Sequence, residues 1–150
     1  FSGIEFAKWP GRVQFIDKGK LLNYRGARPI WIDGAHNSHS ATALAASLAK
    51  ITDEKWTIIA GMLETRKPDD IFMPLKNLIS EIFTITIPGQ VTSLSAQELS
   101  EGCRDLGIKA KAKSSLSEAL TASCESEFVM ICGSLYLAGH ALLLNDTLPE

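Results

Sequence analysis

The residues with the most chemical potential form one run, Asp33 to His39, which reads Asp-Gly-Ala-His-Asn-Ser-His. Asp33 ends a short apolar segment, so its carboxylate could accept hydrogen bonds from ribose hydroxyls. Gly34 would let the backbone approach a ligand closely. His36 comes just before a helical pattern, where exposed backbone amides favour an anion. The run is a candidate nucleotide site, although composition alone slightly favours the alternative, in which Asp33 and Asn37 cap the helix and His36 is an exposed loop residue.

Metal binding is a weaker interpretation of the same run. His36 and His39 could be ligands, but neither has a cysteine or acidic partner at helical spacing. The three cysteines, at 103, 124 and 132, contain no Cys-x-x-Cys pair. Their odd number and their scatter over apolar segments indicate reduced, buried thiols of a cytosolic protein. The sequence therefore predicts no metal site in this chain.

Two smaller clusters could complete a site. In Trp9–Arg12, a rigid Pro-Gly turn precedes an arginine whose fork of donors suits a phosphate, although a surface arginine on an edge strand is the commoner case. In Gly133–Tyr136, Ser134 begins a helix at the end of a strand, where its hydroxyl could hold a carboxylate. The alternative is an N-cap serine beside a core tyrosine. No Gly-x-Ser-x-Gly motif surrounds Ser134, which argues against a hydrolase nucleophile.

The elements that must position these residues alternate along the chain. Apolar segments predict strands at Arg12–Ile16, Leu21–Tyr24, Pro29–Ile32, Trp56–Ala60, Ile82–Ile87, Ile108–Ala112 and Phe128–Cys132. The first two would form a hairpin around Gly19. Helical spacing and capping residues predict helices after Asn37 to Ile51, at Asp70–Ile79, from Ser95 to Leu106, from Ser115 to Ser123, and at Leu135–Leu144.

This order predicts an α/β domain. Strands that alternate with helices indicate right-handed βαβ units in a mostly parallel sheet, with helices on both faces. The continuously apolar strands Trp56–Ala60 and Phe128–Cys132 fit central positions. Ligands of such sheets bind at the carboxyl ends of the strands, so chemistry is expected in the turns after Ile32, Ala60 and Cys132.

Composition narrows the classes of function. The chain of 150 residues is long enough for one domain. Fifteen basic and seventeen acidic residues give a net charge of −2, which argues against a nucleic-acid partner. The longest apolar stretch, Leu135–Leu144, is too short to span a membrane. Neither a Gly-x-Gly-x-x-Gly fingerprint nor a Walker A loop is present, which disfavours a self-contained NAD or ATP enzyme.

Four segments together resemble the C-terminal domain of folylpolyglutamate synthase / dihydrofolate synthase, a branch of the Mur ligase superfamily. They are Trp9–Arg12, Ile32–Asn37, Gly61–Leu63 and Gly133–Leu137, and they span nearly the whole chain. The Asp-Gly-Ala-His-Asn run is specific to this superfamily. The resemblance implies that residues 1–150 form a Rossmann-like three-layer domain with a mixed, mostly parallel, six-stranded sheet. It also implies a larger cytoplasmic enzyme, whose N-terminal ATPase domain is not in this chain; the start at Phe1 without a methionine fits such a fragment.

The resemblance implies an ATP-dependent amide ligase. In the family, ATP phosphorylates a folate-side carboxylate, and the amino group of glutamate attacks the acyl phosphate. By motif, Arg12 corresponds to the linker arginine that contacts the ATP phosphates, and Asp33 to the aspartate that holds the ribose. His36 corresponds to the histidine near the phosphates and the incoming glutamate, and Ser134 to a serine near the glutamate. The Mg²⁺ ligands are expected in the N-terminal domain.

Two positions depart from the family pattern. Ser38 stands where the family usually has proline, and Glu64–Pro68 replaces an acidic-lysine-acidic run, so no role is carried to that loop. The resemblance further implies a monomer whose substrates are ATP, glutamate and folate or dihydropteroate. Because the chain lacks a Walker A loop and a set of Mg²⁺ ligands, we expect it to be inactive alone. The alternatives are another Mur-type amino-acid ligase domain and a non-catalytic α/β binding module.

Overall fold

The computed structural model describes residues 13–146. Its strands are β1 (Gln14–Ile16), β2 (Ile30–Ile32), β3 (Trp56–Ala60), β4 (Ile79–Thr84), β5 (Ala110–Ala112) and β6 (Val129–Cys132). Its α-helices are α1 (Ser38–Ile51), α2 (Pro68–Leu75), α3 (Ala96–Asp105), α4 (Leu116–Ala122) and α5 (Leu135–Leu144). Short 3-10 helices lie at Lys20–Arg25 and Lys76–Leu78. Within the described range, no helix has both the length and the apolar character needed to cross a membrane.

The six strands form one sheet in the order β1-β2-β6-β3-β4-β5. β1 runs antiparallel to β2, and every other neighbouring pair is parallel. β3 and β6 lie at the centre, and all of their residues are buried. The predictions of a mostly parallel mixed sheet and of these two central strands are therefore confirmed.

The core has two layers, one on each face of the sheet. Because successive side chains of a strand point to opposite faces, Ile59 and Ile131 join the cluster that includes residues of α4 and α5. Ile58 and Met130 join the cluster that includes residues of α1, α2 and α3. Helices on both faces give the three-layer α/β architecture expected from the sequence.

The segment after β1 differs from the prediction. A return strand was expected at Leu21–Tyr24, but the 3-10 helix Lys20–Arg25 forms there, and β1 pairs with β2 instead. Leu21 and Leu22 are both buried. In a strand with only one face packed on the core, adjacent side chains point to opposite sides, so one of the two would be exposed. The backbone amide of Leu21 also donates to the side-chain oxygen of Asn145 at 2.9 Å. A distant contact thus selects the helical turn.

The boundary between α2 and β4 is also shifted from the prediction. The helix was expected at Asp70–Ile79, but α2 begins at Pro68 and gives way to the 3-10 turn after Leu75. β4 begins at Ile79 and ends at Thr84, so the strand expected at Ile82–Ile87 is wrong by three residues at each end. It ends there because its neighbours do, since Thr84 pairs with the last residues of β3 and β5.

The helix starts agree with the predicted caps. In each case, the side chain of the N-cap residue accepts a hydrogen bond from a backbone amide of the first turn; these residues are Asn37, Ser95, Ser115 and Ser134. At Ser115 only half of a capping box forms, because the carboxylate of Glu118 accepts from the amide and hydroxyl of Ser114 instead of from the amide of Ser115.

Candidate functional site

The candidate site is built on three neighbouring strands that end at the same edge of the sheet. β2, β6 and β3 are adjacent and parallel. Their last residues are Ile32, Cys132 and Ala60. The turns that follow therefore lie side by side at this carboxyl edge, although they come from distant parts of the sequence.

The three turns touch one another through their backbones. The amide of Gly133 donates to the carbonyl oxygen of Ala35 at 3.1 Å, and the amide of Asp33 donates to that of Ile131 at 3.0 Å. Gly133 has φ of +116°, and a Cβ atom there would lie 2.5 Å from the carbonyl oxygen of Gly61. Only glycine fits this close approach without displacement. The turn after β6 is thereby fixed against the turns after β2 and β3.

Asp33 is a buried carboxyl group with one unused acceptor. Its side chain is closed to solvent, and Oδ2 accepts the amide of Ala35 at 2.8 Å. Oδ1 has no hydrogen-bond partner among residues 13–146. Burial raises the pKa of this carboxyl to about 6, against a smaller lowering by the Ala35 amide. A buried acceptor without a donor is costly, so Oδ1 is ready to receive a donor that reaches it.

His36 has a defined ring orientation. Its Nδ1 lies 3.0 Å from the carbonyl oxygen of Gly34. Because a carbonyl only accepts, the proton of the neutral ring is assigned to Nδ1. Nε2 has no partner among the described residues, and the side chain is half-buried. The ring can therefore accept a hydrogen bond at Nε2 when neutral, or donate one to an anion when charged.

The first turn of α1 comes directly after His36 in the chain, with Asn37 as the N-cap residue. Oδ1 of Asn37 accepts the amide of Ser40 at 2.8 Å, which is the predicted cap. Ser38 and His39 are exposed, and the amides of a first helical turn have no acceptor within the helix. Ser38 keeps a backbone amide, which a proline at this position would lack. The edge thus combines a carboxyl, an imidazole and the positive end of a helix.

Ser134 lies on the turn after β6 and is nearly closed to solvent. Its Oγ accepts the amide of Tyr136 at 3.0 Å, so Ser134 caps α5 as the alternative interpretation required. The hydroxyl proton has no acceptor in residues 13–146 and can still be donated. The side chain of Tyr136 is 55% exposed, so the core tyrosine of that interpretation is wrong.

Arg12 and the Trp9–Arg12 cluster lie outside the described residues. The register of β1 is nevertheless informative, because Gln14 pairs antiparallel with Ile32. Val13 therefore enters the sheet at the carboxyl edge, beside Asp33. The sequence neighbour of Arg12 is thus at the same edge as the other predicted site residues.

Sequence reasoning missed two features of this edge. The turn after β3 is joined to the loop after β4 by an antiparallel bridge between Leu63 and Ser93, and the amide of Glu64 donates to Thr92 at 2.7 Å. Ser40, whose hydroxyl binds the turn before α1, was also not singled out. A serine three residues after the N-cap was its only local signal.

The possible metal ligands and the cysteines of residues 13–146 were two further candidates for chemistry. Residues 13–146 contain no group of three or more His, Cys, Asp or Glu side chains suited to a metal ion. All three cysteines are free; Cys103 and Cys132 are buried, as expected, whereas Cys124 is half-buried. Burial raises the pKa of Cys103 to about 12 and raises that of Cys132 further, which makes both poor nucleophiles.

Comparison with known sequences gives a family. Residues 21–144 match the family described as dihydrofolate synthetase, C-terminal domain. The chain is 29% identical over 140 residues to folylpolyglutamate synthase of Lacticaseibacillus casei, an alignment that covers 91% of this chain and 30% of that protein. The chain thus spans less than a third of this curated relative.

Solved structures share the fold. A complex of Mycobacterium tuberculosis folylpolyglutamate synthase with ADP and AMPPCP has a TM-score of 0.75 at 22% identity, over 94% of this chain and 33% of that one. E. coli FolC in complex with ADP has a TM-score of 0.72 at 22% identity, over 91% of this chain and 31% of that one. A bifunctional folylpolyglutamate synthase/dihydrofolate synthase with Mn, AMPPNP and L-glutamate bound has a TM-score of 0.70 at 24% identity, over 89% of this chain and 31% of that one.

Proposed function

The chain belongs to the family of dihydrofolate synthetase C-terminal domains, and on that premise we propose that it is the C-terminal domain of an ATP-dependent amide ligase. The ligase adds L-glutamate to folate or dihydropteroate. The observation that carries the proposal is the 3.1 Å hydrogen bond from Gly133 to Ala35. It joins the turn that contains Asp33 and His36 to the turn that contains Ser134, so residues suited to ATP and to glutamate occupy adjacent turns.

The proposed reaction has two steps. A carboxylate oxygen of the folate-side substrate attacks the γ-phosphorus of ATP, ADP leaves, and an acyl phosphate forms. The nitrogen of glutamate then attacks the acyl carbon, inorganic phosphate leaves, and the nitrogen loses a proton. The P-loop and the Mg²⁺ ligands are assigned to the N-terminal ATPase domain of the same enzyme, as the family resemblance implies. The domain described here binds and orients substrates and helps exclude water from the acyl phosphate.

Asp33 is proposed to bind the ribose of ATP. The support is Oδ1, which is buried without a donor among residues 13–146, while Oδ2 is already occupied by Ala35. A ribose hydroxyl supplies the donor that Oδ1 lacks. Because Asp33 is closed to solvent in this structure, the contact requires its carboxylate to become accessible when the nucleotide binds.

Arg12 and His36 are proposed to act on the phosphates, where a guanidinium and the start of α1 offset developing negative charge. Arg12 lies outside the described residues, and its assignment is supported by the entry of Val13 at the carboxyl edge. His36 is also assigned to the incoming glutamate, because its Nε2 has no partner among the described residues. A neutral Nε2 accepts from an ammonium group, and a charged ring donates to a phosphate.

Ser134 is proposed to bind glutamate. Its Oγ accepts the amide of Tyr136 at 3.0 Å, which leaves the hydroxyl proton for a carboxylate of the amino acid. A charge-assisted hydrogen bond of this kind is stronger than a neutral one. Ser134 thus has a structural role at α5 and a proposed binding role at the same time.

The test is reconstitution of the full-length parent enzyme. Purified parent protein is supplied with ATP, Mg²⁺, glutamate and either dihydropteroate or a reduced folate, and glutamylated product is measured by mass spectrometry. Product should require all of these components. The 150-residue chain alone should form none, because it has no Walker A loop. Product formed by the isolated chain, or a parent that ligates a different amino acid and ignores folates, would contradict the proposal.

A further inference from the structure

Ser40 is the third residue of α1, and its hydroxyl is fully used by the turn that precedes the helix. The Oγ atom accepts the backbone amides of His36 at 3.1 Å and Asn37 at 3.2 Å. It lies 2.9 Å from Oδ1 of Asn37, to which it can donate. A serine hydroxyl has one donor and two acceptor sites, so these contacts saturate it. Ser40 is nearly buried, with 9% of its surface exposed.

These contacts fix the backbone that carries the imidazole of His36. Without Ser40, the amides of His36 and Asn37 would have no acceptor in the described residues. The bond from Nδ1 of His36 to the carbonyl oxygen of Gly34 spans the same turn at 3.0 Å. That bond keeps its length only while the backbone at residue 36 stays in place. The hydroxyl of Ser40 and the tautomer of His36 are therefore linked through one peptide unit.

We infer that Ser40 is a positioning residue for His36. Its hydroxyl holds the backbone of residues 36 and 37, which keeps the ring proton on Nδ1 and leaves Nε2 to face the ligand. The alternative is a serine that only stabilises the start of α1. The part of this inference that concerns catalysis depends on the proposed ligase function, whereas the part that concerns the tautomer does not.

The direct test is nuclear magnetic resonance of the chain labelled with ¹⁵N-histidine. Two-bond nitrogen–proton correlations distinguish the Nδ1–H and Nε2–H forms of the chain's three histidines. His36 should be mainly Nδ1–H when neutral, and Ser40→Ala should remove this form as the major species. Ser40→Thr, which keeps the hydroxyl, should retain it. Ser47→Ala is the matched control, because Ser47 is half-buried on the same helix and its hydroxyl donates only to the carbonyl of Ala43.

A stable Ser40→Ala chain with the wild-type tautomer of His36 would overturn the inference. Ser40→Cys provides a second variant of nearly the same size if alanine prevents folding, since a thiol is a weak hydrogen-bonding group. Retention of the Nδ1–H form in folded Ser40→Cys would overturn the inference equally. His39, which is exposed, reports in the same spectra whether the change is confined to the turn.

The kinetic test uses the full-length parent. Ser40→Ala should lower kcat by about 10-fold to 100-fold, as expected for a misplaced functional group, with the KM for folate unchanged. Ser40→Thr should recover activity, and Ser47→Ala should match the wild type. A changed tautomer with normal kcat would overturn the positioning role. A wild-type parent without ligase activity would refute the proposed function and leave the tautomer result standing.

Discussion

The backbone amide of Gly133 donates a 3.1 Å hydrogen bond to the carbonyl oxygen of Ala35. This bond ties the end of a central strand to the turn that carries Asp33 and His36. It forms because Gly133 adopts a φ of +116° and passes close to the carbonyl oxygen of Gly61. The geometry of the candidate site therefore depends on a residue without a side chain.

Substitution of Gly133 should destabilise the domain strongly. In Gly133→Ala, the new Cβ would lie 2.5 Å from a backbone oxygen at a positive φ, and we expect a loss of at least about 2 kcal/mol in the free energy of unfolding. Urea denaturation followed by circular dichroism measures the loss. Gly139→Ala is the matched control, because a Cβ there meets nothing within 4 Å. It should stabilise α5 by roughly 0.5–1 kcal/mol, and equal effects at the two sites would contradict the close approach.

Asp33 should make stability depend on pH in a defined direction. Its pKa is raised from 3.8 to about 6 by burial, so between these values the folded chain binds the proton more tightly than the unfolded chain. Stability should fall as pH rises through this window, by up to roughly 3 kcal/mol. The advantage of Asp33→Asn over wild type should grow by that amount from about pH 3.5 to about pH 7.5.

The measurement for Asp33 is a series of urea denaturation curves for both proteins across that pH range. Taking the difference between them removes the contributions of other groups. The same substitution at the exposed Asp53 supplies a reference series. A difference that stays constant with pH would show that Asp33 is not held in a low-dielectric environment.

Arg25 should stabilise the 3-10 helix Lys20–Arg25, which forms in place of the expected strand. Its buried guanidinium donates to the carbonyl oxygens of Ser123 at 2.6 Å and Pro29 at 2.9 Å, and burial lowers its pKa to about 10. Arg25→Ala should cost about 3 kcal/mol or more, because two charge-assisted bonds are lost and the carbonyl of Ser123 keeps only the amide of Ser126 as a donor. The exposed Arg28, which donates to Cys124 at 3.0 Å, is the control.

Thermal or urea unfolding compares the two arginine variants. Arg28→Ala should change the free energy of unfolding by less than about 1 kcal/mol, because its contact is exposed to solvent. If Arg25→Ala proves as mild as Arg28→Ala, the guanidinium of Arg25 does not stabilise the 3-10 segment in the way the structure indicates.

Local sequence patterns were sufficient to predict most of the strands and helices. The N-caps at Asn37 and Ser95 act within one helical turn, and the apolar runs of β3 and β6 predict central strands. The conformation of Leu21 depends instead on the side chain of Asn145, 124 residues away in the sequence. No local pattern contains that contact, so the return strand was predicted wrongly there.

For the candidate site, the sequence predicted which residues follow the strands but not how the turns pack. Asp33 and Ser134 could be singled out as candidates because each follows a strand that ends at the carboxyl edge. The complete burial of Asp33 was not predictable, because it depends on how the turns of three strands pack together. Ser40 was overlooked for a related reason, since its hydroxyl bonds backward to amides that a sequence pattern does not display.

Arg12 should contribute mainly to turnover in the full-length enzyme. If it binds developing phosphoryl charge, Arg12→Ala should lower kcat/KM by at least about 100-fold, near 2.7 kcal/mol. Arg12→Lys should restore activity only in part, because lysine lacks the two-pronged geometry. Steady-state ligase kinetics beside a thermal melt measure both effects. Near-normal turnover, or loss of activity through unfolding alone, would make Arg12 a surface residue.

The most direct test of the nucleotide assignment is the KM for ATP of the Asp33→Ala full-length enzyme. Because a hydrogen bond to a charged group contributes about 1.5–3 kcal/mol, this KM should rise about 10-fold or more while the KM for folate stays the same. Oδ1 of Asp33, which lacks a donor among residues 13–146, would then be a ligand of the ribose. An unchanged KM for ATP in a folded variant would contradict the assignment and leave Asp33 with only its bond to Ala35.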